Sequence, residues 1–351
     1  MKSLIHVTTW LMERRTRLAA AAVAVLAVVA TTAGFAAGQG RAAPPLDTPA
    51  RAMLLHGTLV VRGTHANDAI ALRLKAGDPE TLQVDFGDDG SADLSFARSA
   101  IVRIAVDARR GDDRVRIDDT NGAFTNAIPT TIAGGDGDDT LDGGSGAETL
   151  LGGDGNDTID GNGGADVALL GTGDDTFVWD PGDGSDVIEG QDGLDTMVFN
   201  GAGVADQVEL SANGNRLRFF RNPGAITMDT AGVEQVDFNA LGGADLVTVG
   251  DLSGTDVTAF DVDLASSLGG SAGDAQTDRV VVNGTNGDDA VDVSGDDAEV
   301  KVSGLAPVVA VFHAEAVDHV EINTLAGADT VDHTGLTAGA IQLFVNDVLT
   351  P

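Results

Sequence analysis

The sequence has no cysteine and no tyrosine, and only two tryptophans among its 351 residues. Without cysteine the chain can form neither disulfide bonds nor thiolate metal sites. Small and β-branched residues dominate instead: 47 residues are glycine, and valine and threonine are frequent. This composition is typical of strands joined by turns. A chain of this length can form one large domain or two ordinary ones.

Basic residues are scarce and unevenly placed. Lys and Arg number 20 against 55 Asp and Glu, which gives a formal net charge of −35. No Lys or Arg occurs between Arg116 and Arg216, whereas the segment from Arg51 to Arg116 holds ten basic residues. This charge argues against a nucleic-acid partner and predicts that the middle of the chain attracts cations.

Long hydrophobic runs are also rare, and the clear exception lies near the N-terminus. A stretch with three arginines precedes an apolar run from Leu18 to about Ala37, and small residues follow. This order is typical of a secretory signal peptide over residues 1–43, cleaved between Ala36 and Ala43, with Met12 as an alternative start. The alternative is an uncleaved membrane anchor, because about twenty apolar residues can span a bilayer. Both interpretations place the remainder outside the cytoplasm, secreted or at the cell surface.

Nine-residue units repeat in one frame through residues 134–198. The seven units are GGDGDDTLD, GGSGAETLL, GGDGNDTID, GNGGADVAL, LGTGDDTFV, PGDGSDVIE and GQDGLDTMV, with Trp179 and Asp180 between the fifth and the sixth. Position four is always glycine, position six is always acidic, and position eight is always apolar. An apolar residue in every unit argues against a disordered acidic linker.

These positions define a candidate core and a set of candidate metal ligands. The apolar residues at position eight are Leu141, Leu150, Ile159, Ala168, Phe177, Ile188 and Met197. The acids at position six are Asp139, Glu148, Asp157, Asp166, Asp175, Asp186 and Asp195. The glycines at position four are Gly137, Gly146, Gly155, Gly164, Gly173, Gly184 and Gly193. Three acids at position three, Asp136, Asp154 and Asp183, complete the predicted metal-binding set.

The units resemble the repeats-in-toxin (RTX), or haemolysin-type, nonapeptide GGxGxDxUx, in which U is a large apolar residue. The resemblance covers about 65 residues, and its departures include Glu148, Asn162, Ala168 and Gln191. It implies a calcium-binding repeat that folds as a parallel β-roll, or β-solenoid, within an all-β protein.

Strand geometry leads to the same fold without the family. A glycine-rich turn followed by a three-residue strand points the middle side chain inward, and one strand cannot bury its face alone. Successive strands therefore alternate between two sheets, so that two units make one turn of a coil. Position-six acids eighteen residues apart then stack about 4.8 Å from each other. Bare carboxylates at that distance repel by about 3–4 kcal/mol at an effective dielectric constant of 20.

A hard divalent cation between successive turns reverses this repulsion. Ca²⁺ accepts six to eight oxygen ligands in flexible geometry, including backbone carbonyls, whereas Mg²⁺ requires a stricter octahedron. Zn²⁺ prefers His and Cys, which the repeats lack. The sequence therefore predicts several Ca²⁺ ions as cofactors. Glu148 has a longer side chain than the other position-six acids, which predicts that the site it shares with Asp166 is the weakest.

The segments on either side of residues 134–198 contain the same pattern at wider spacings. Acids followed two residues later by an apolar residue recur at spacings of 45, 39 and 40 residues, in the pairs Asp68 and Asp113, Asp206 and Asp245, Asp289 and Asp329. They predict one β-rich unit at 44–133 and two at 199–351, placed to cap the RTX-type coil at 134–198. Isolated aspartates of this kind are interpreted mainly as caps of their own turns. Either continuation of the coil or separate small domains fits these units.

Catalytic motifs are hard to find in the sequence. It contains no HExxH and no EF-hand pattern. His313, Glu315 and His319 would share one face of a strand, so a surface metal site is an alternative to solvent-facing strand residues.

We expect an exported, non-enzymatic calcium-binding protein at the cell surface or in the extracellular matrix, with a cell-surface or polysaccharide partner. It would contact a membrane only through an uncleaved N-terminal segment. The alternative is a secreted hydrolase of polysaccharide or protein that uses the repeats as a scaffold.

Overall fold

The computed structural model describes residues 49–350, whose regular secondary structure is almost entirely β-strand. The predicted signal peptide therefore lies outside the described residues. Short 3₁₀ turns occur at Arg98–Ala100 and Asp119–Asn121. The strands are β1 (Arg51–Leu55), β2 (Thr58–Arg62), β3 (Ala69–Lys75), β4 (Asp78–Phe86), β5 (Leu94–Ala97), β6 (Arg103–Arg110), β7 (Arg114–Asp118), β8 (Thr130–Asp136), β9 (Thr140–Asp142), β10 (Glu148–Asp154), β11 (Thr158–Asp160), β12 (Val167–Thr172), β13 (Thr176–Trp179), β14 (Val187–Asp192), β15 (Thr196–Asn200), β16 (Gln207–Asn213), β17 (Arg216–Asn222), β18 (Ile226–Ala231), β19 (Gln235–Asn239), β20 (Leu246–Val249), β21 (Ala259–Asp263), β22 (Arg279–Asn283), β23 (Ala290–Gly295), β24 (Glu299–Ser303), β25 (Val308–Phe312), β26 (His319–Asn323), β27 (Thr330–Asp332), β28 (Gln342–Val345) and β29 (Val348–Leu349).

The strands form two facing sheets between which the chain alternates. The order in the first sheet is β1-β2-β6-β8-β10-β12-β14-β18-β17-β16-β20-β22-β26-β28-β29. The order in the second sheet is β27-β23-β24-β25-β21-β19-β15-β13-β11-β9-β7-β3-β4-β5. Through the nonapeptide block, neighbouring strands of each sheet are parallel. The predicted all-β, parallel β-roll is confirmed.

The core of the coil is the stack of position-eight side chains. All seven are fully buried, with 0% of their surface exposed. In the second sheet Leu141, Ile159, Phe177 and Met197 lie in register on successive strands. Within the block the strands of the second sheet have three to five residues and those of the first sheet six or seven. Burial of the position-eight side chain in each of them fixes the register.

The two-residue insertion at Trp179 and Asp180 also serves the core. Trp179 is buried, and its ring stacks on Phe199 with the centroids 4.0 Å apart and the planes 5° from parallel. Its indole N–H donates to the carbonyl oxygen of Gly184 at 2.8 Å. The insertion therefore lengthens β13 by a buried aromatic residue whose polar atom has a partner.

The three longer units contain three-stranded antiparallel meanders. These are β3–β5 at one end of the second sheet, β16–β18 in the first sheet and β23–β25 in the second. Parallel stacking continues beyond the block through β2, β6 and β8 on one side and β20, β22 and β26 on the other. The coil therefore runs through the flanks, and each long spacing corresponds to one circuit of the coil plus two extra strands.

Antiparallel hairpins end the first sheet on both sides, with β1 paired to β2 and β28 paired to β29. A hairpin closes a stacked sheet because its outer strand need not match a further turn of the coil. Between residues 49 and 350, no helix combines the length and the apolar character needed to cross a bilayer.

Candidate calcium-binding turns

Several turns of the block, such as those of the first and third units, have glycine with a positive φ at positions two and four. Gly135 and Gly137 have φ of 128° and 129°, and Gly153 and Gly155 both have φ of 133°. Residues with a Cβ atom avoid this region, so two such angles within three residues are easiest for glycine. The pair redirects the chain sharply enough for the next strand to enter the opposite sheet.

Glycine at position four also allows the turns to stack in direct backbone contact. A Cβ atom built on Gly155 would lie 2.3 Å from the carbonyl oxygen of Gly137, and one on Gly173 would lie 2.2 Å from that of Gly155. Any side chain here would separate the turns. The contact brings carbonyl oxygens of successive turns into a row along the edge of the coil.

The position-six carboxylates are buried and joined to one another through the backbone. The Oδ1 atom of Asp157 accepts the backbone N–H of Asp139 at 2.8 Å, and Oδ1 of Asp175 accepts that of Asp157 at 2.7 Å. Each acid thus holds the equivalent acid of the preceding turn in register. Such hydrogen bonds, repeated turn after turn, form a column.

Four columns of this kind run along the two edges of the coil. One edge carries Asp68, Asp113, Asp139, Asp157, Asp175, Asp195 and Glu234, and then Asp289 and Asp329. The other edge carries Glu148, Asp166 and Asp186, and then Asp206, Asp245, Asp278 and Asp318. The structure therefore brings all seven predicted position-six acids into columns and adds flanking acids to the same edges.

The first acid of each column behaves differently from those that follow. Its second carboxylate oxygen accepts a backbone N–H from its own turn, four residues earlier. These bonds run from Thr64 to Asp68, Gly144 to Glu148, Ala202 to Asp206 and Thr285 to Asp289. The predicted turn-capping role is therefore right for Asp68, Asp206 and Asp289. It is wrong for Asp113 and Asp245, because their Oδ1 atoms bond the preceding acid's N–H instead of capping their own turns.

Most column acids retain one buried oxygen that has no hydrogen-bond partner. These atoms are Oδ2 of Asp113, Asp139, Asp157, Asp166, Asp175, Asp186, Asp195 and Asp245, and Oε1 of Glu148. A buried carboxylate oxygen without a partner is costly, and native proteins rarely leave one. Nine such atoms in equivalent positions indicate that a cation belongs beside them.

Position one is glycine in five of the seven units, and in two of them we can see that this leaves space for the carboxylate. A Cβ atom built on Gly134 would lie 2.1 Å from Oδ2 of Asp139, and one on Gly152 would lie 2.3 Å from Oδ2 of Asp157. Neither glycine has a positive φ. At Gly134 and Gly152, the missing side chain therefore leaves room for the carboxylate and does not serve to permit an unusual backbone.

We expect Gly134→Ala to lower the stability of the calcium-loaded protein by about 1–3 kcal/mol, because the methyl group displaces the Asp139 carboxylate. Gly203→Ala is the matched control, since Gly203 also lacks a positive φ and a Cβ atom there meets nothing within 4 Å. Thermal unfolding with calcium present measures both. Equal losses in the two variants would show that the space beside Asp139 has no special role.

Burial raises the pKa of these carboxyl groups in the absence of a bound ion. The pKa of Asp157 rises to about 7 and that of Asp166 to about 9, chiefly because burial removes water from the charged form. Neighbouring column carboxylates raise the pKa of both groups further, and the backbone N–H bonds oppose the rise. The same direction and leading cause hold for Asp113, Asp139, Glu148, Asp175, Asp186, Asp195, Asp245, Asp278 and Asp318.

The three predicted position-three acids lie apart from the columns. The carboxylate of Asp136 is exposed and pairs with Arg110 at 2.9 Å. Asp154 accepts the hydroxyl of Thr172 at 3.1 Å, and Asp183 accepts the backbone N–H of Asp180 at 2.5 Å. At position three it is the backbone that joins neighbouring turns, since the carbonyl oxygen of Asp154 accepts the N–H of Gly137 at 2.7 Å.

A second row of side-chain oxygens, at position five, was not predicted from the sequence. Oδ1 of Asp138 accepts the N–H of Asn156 at 2.8 Å, and Oδ1 of Asn156 accepts that of Asp174 at 2.9 Å. The row is exposed and extends from Asp112 to Leu194. The recurrence of Asp or Asn immediately before position six was the available signal.

The residues present fit a hard cation that accepts mixed oxygen ligands. Within residues 49–350, no group of three or more His, Asp or Glu side chains converges on one point. An ion in the turns would therefore take the free oxygens of one or two position-six acids and complete its shell with backbone carbonyls. Ca²⁺ tolerates this combination.

Comparison with known families agrees with this assignment. A family model of the RTX calcium-binding nonapeptide repeat (4 copies) matches residues 131–150, 142–177 and 182–201. A comparison with curated proteins finds no match for the chain. The middle of the coil consists of RTX calcium-binding repeats, as the sequence predicts, and the chain is a calcium-binding repeat protein.

Glu148 allows the strength of one site to be tested. Asp68, Asp206 and Asp289 cap their turns with a shorter side chain than Glu148 uses on the N–H of Gly144. We therefore expect Glu148→Asp to keep this hydrogen bond and to tighten the weakest calcium site by up to about tenfold. Calorimetric titration with calcium measures the change. Unchanged or weaker binding would mean that the longer carboxylate suits its place.

The histidines near the C-terminal end do not form the predicted strand face. His313 follows β25 of the second sheet, and its Nδ1 lies 2.7 Å from Oδ1 of Asp263. His319 is in β26 of the first sheet, with its ring 4.8 Å from that of Phe344. The idea that one strand presents both histidines is therefore wrong, because the chain changes sheets between them.

Proposed function

We propose that this protein is an exported, non-enzymatic scaffold of the cell surface or extracellular matrix, whose glycine-rich turns bind several Ca²⁺ ions and become ordered as they bind. The observation that carries the proposal is the row of buried, unpartnered carboxylate oxygens along both edges of the coil. Calcium supplies the positive charge that these oxygens lack, so that the ion becomes part of the fold.

Export is supported by the sequence order at the N-terminus and by the chemistry of the turns. Extracellular calcium modules work at about 10⁻⁴–10⁻³ M calcium. Turns that depend on calcium would remain without the ion before export and would bind it outside the cell. N-terminal sequencing of the protein recovered from the culture medium or cell surface tests this, with a first residue between positions 37 and 44 as the expected result. Recovery of an intact N-terminus would favour the membrane-anchor alternative.

A scaffold role is supported by how the coil uses its polar residues. The acids at its edges bond to backbone N–H groups of neighbouring turns, and His313 pairs with Asp263. Such partners hold the turns together and leave these groups committed to structure.

Purified protein incubated with polysaccharide and protein substrates, with and without calcium, separates the scaffold from the hydrolase. We expect no product under either condition and a calcium-dependent gain in resistance to proteolysis. Release of product that requires calcium would establish the hydrolase alternative.

A further inference from the structure

The turn from Arg109 to Asp113 lies outside the matched repeats and stacks directly against the first of them. A Cβ atom built on Gly137 would lie 2.2 Å from the carbonyl oxygen of Gly111. The backbone N–H of Asp113 donates to Oδ1 of Asp139 at 2.7 Å. These are the contacts that consecutive turns make within the block, so the turn occupies the preceding position of the same column.

Asp113 has the features of a column acid rather than those of a turn cap. It is 3% exposed, its Oδ1 accepts the N–H of Asp68 at 2.6 Å, and its Oδ2 is buried without a hydrogen-bond partner. Asp289, also the acid of a flanking unit, differs in this respect. Its Oδ2 accepts the N–H of Thr285, and its Oδ1 accepts the hydroxyl of Thr285, each at 2.8 Å.

The backbone of this turn follows the course of a nonapeptide turn. Arg109 and Gly111 have φ of 91° and 108°, at the positions where Gly135 and Gly137 have φ of 128° and 129°. An arginine at positive φ is unfavourable, so stacking against the next turn must hold it there. The sequence conceals this similarity because position one is Ala108 and position two is Arg109.

The neighbours of Asp113 in the column are themselves acidic. Its Oδ1 accepts the N–H of Asp68, and its own N–H donates to Oδ1 of Asp139. The flanking turn at Asp245 provides a contrast, because the neighbouring Asp206 is held by the buried guanidinium of Arg221 at 2.8 Å. The protein supplies its own cation there. At Asp113, Oδ2 has no hydrogen-bond partner in the protein, so the balancing cation would come from solution.

We propose that the Arg109–Asp113 turn binds one further Ca²⁺ ion. This ion bridges the turn to the one ending at Asp139 and extends the column of calcium-binding turns beyond the recognisable repeats. The expected ligands are Oδ2 of Asp113 and backbone carbonyl oxygens of the two turns, a set that suits calcium. This inference rests on calcium binding by the block itself.

Equilibrium dialysis against CaCl₂ alone, on the full chain, counts the ions bound. Asp113→Asn keeps the shape of the side chain and the acceptor for Asp68 but removes the charge, so we expect one fewer ion per chain. Asp289→Asn is the matched control and should bind as many ions as the parent. Asp157→Asn, within the block, should lose at least one.

The outcomes separate this inference from the proposed function. If Asp157→Asn loses an ion and Asp113→Asn loses none, the added site does not exist. Equal losses in Asp113→Asn and Asp289→Asn would also overturn it, because Asp289 has no free oxygen. If Asp157→Asn loses none, calcium binding by the turns fails and this inference fails with it.

A variant that does not fold is covered by a measurement on the parent protein. Hydrogen exchange of amides 109–113 should slow at least tenfold when calcium is added, whereas amides 285–289 should not respond. Exchange at 109–113 that ignores calcium would overturn the proposal.

Discussion

Removal of calcium should abolish the β structure of residues 134–198, and CaCl₂ should restore it. Between Arg116 and Arg216 the chain has no Lys or Arg, so the buried carboxylates of the block have no basic side chain of their own segment to balance them. Each also leaves an oxygen without a hydrogen-bond partner. Without the ion these costs act against a core that receives only one or two buried apolar side chains from each strand.

The size of the effect follows from linkage. A site that is filled at 100 times its dissociation constant stabilises the folded state by about 2.7 kcal/mol. Several such sites acting together would reach the roughly 5–15 kcal/mol that normally separates folded from unfolded protein. Calcium should therefore decide whether the block is folded, and not merely adjust its melting temperature.

Far-UV circular dichroism of the protein titrated with CaCl₂ measures this transition, and MgCl₂ is the control ion. Mg²⁺ requires near-octahedral geometry and keeps its water, so it should be much less effective. A spectrum that does not change with calcium, or that responds equally to the two ions, would contradict the prediction.

The sequence predicts the block well because its period leaves little freedom. With an apolar residue at every ninth position, the only regular arrangement that buries Leu141, Leu150 and Ile159 together places them on alternating sheets. The strands β9 and β11 have the predicted three residues after a glycine-rich turn, whereas β10 and β12 of the first sheet are longer, with seven and six. Here a local pattern and a global fold impose the same register.

The flanks were harder to predict because meanders interrupt the period. Each meander adds two antiparallel strands to a circuit, so that equivalent acids lie about forty residues apart. Whether an aspartate caps its own turn or joins a column depends on whether a preceding acid offers its backbone N–H. Asp289 begins a column and Asp245 follows Asp206. That difference depends on which turns stack on each other in the folded coil, and a short stretch of sequence does not reveal this.

Two aspartates of the C-terminal flank, Asp278 and Asp318, illustrate the same limit. Asp278 and Asp318 extend the column of Asp206 and Asp245, with bonds of 2.8 and 3.0 Å. Neither follows the glycine-x-aspartate pattern. Their positions become equivalent only when β22 and β26 stack on β20.

Acid should partly replace calcium in folding this protein. In the calcium-free folded state the pKa of Asp139 is raised to about 6, those of Asp113, Asp157 and Asp186 to about 7, and that of Asp166 to about 9. In the unfolded chain these groups titrate near pH 4. Between these limits the folded state binds more protons than the unfolded state, so the free energy of unfolding rises as the pH falls.

The sign reverses when calcium is present. Calcium binds the ionised carboxylates, so protons compete with the ion and its affinity must fall on acidification. Calcium-free protein should thus be more folded at about pH 5 than at about pH 8. The calcium concentration needed for half-maximal folding should be higher at pH 5 for any part that still responds.

Urea unfolding of the chelator-treated protein across this pH range, followed by circular dichroism, checks the first statement, and calcium titrations at the two pH values check the second. The Gly203→Ala variant should follow the parent throughout, because a Cβ atom at Gly203 meets nothing within 4 Å. A calcium-free protein that loses stability steadily from pH 8 to pH 5 would show that the charges of its column carboxylates are already balanced without the ion. The columns would then need no calcium to fold.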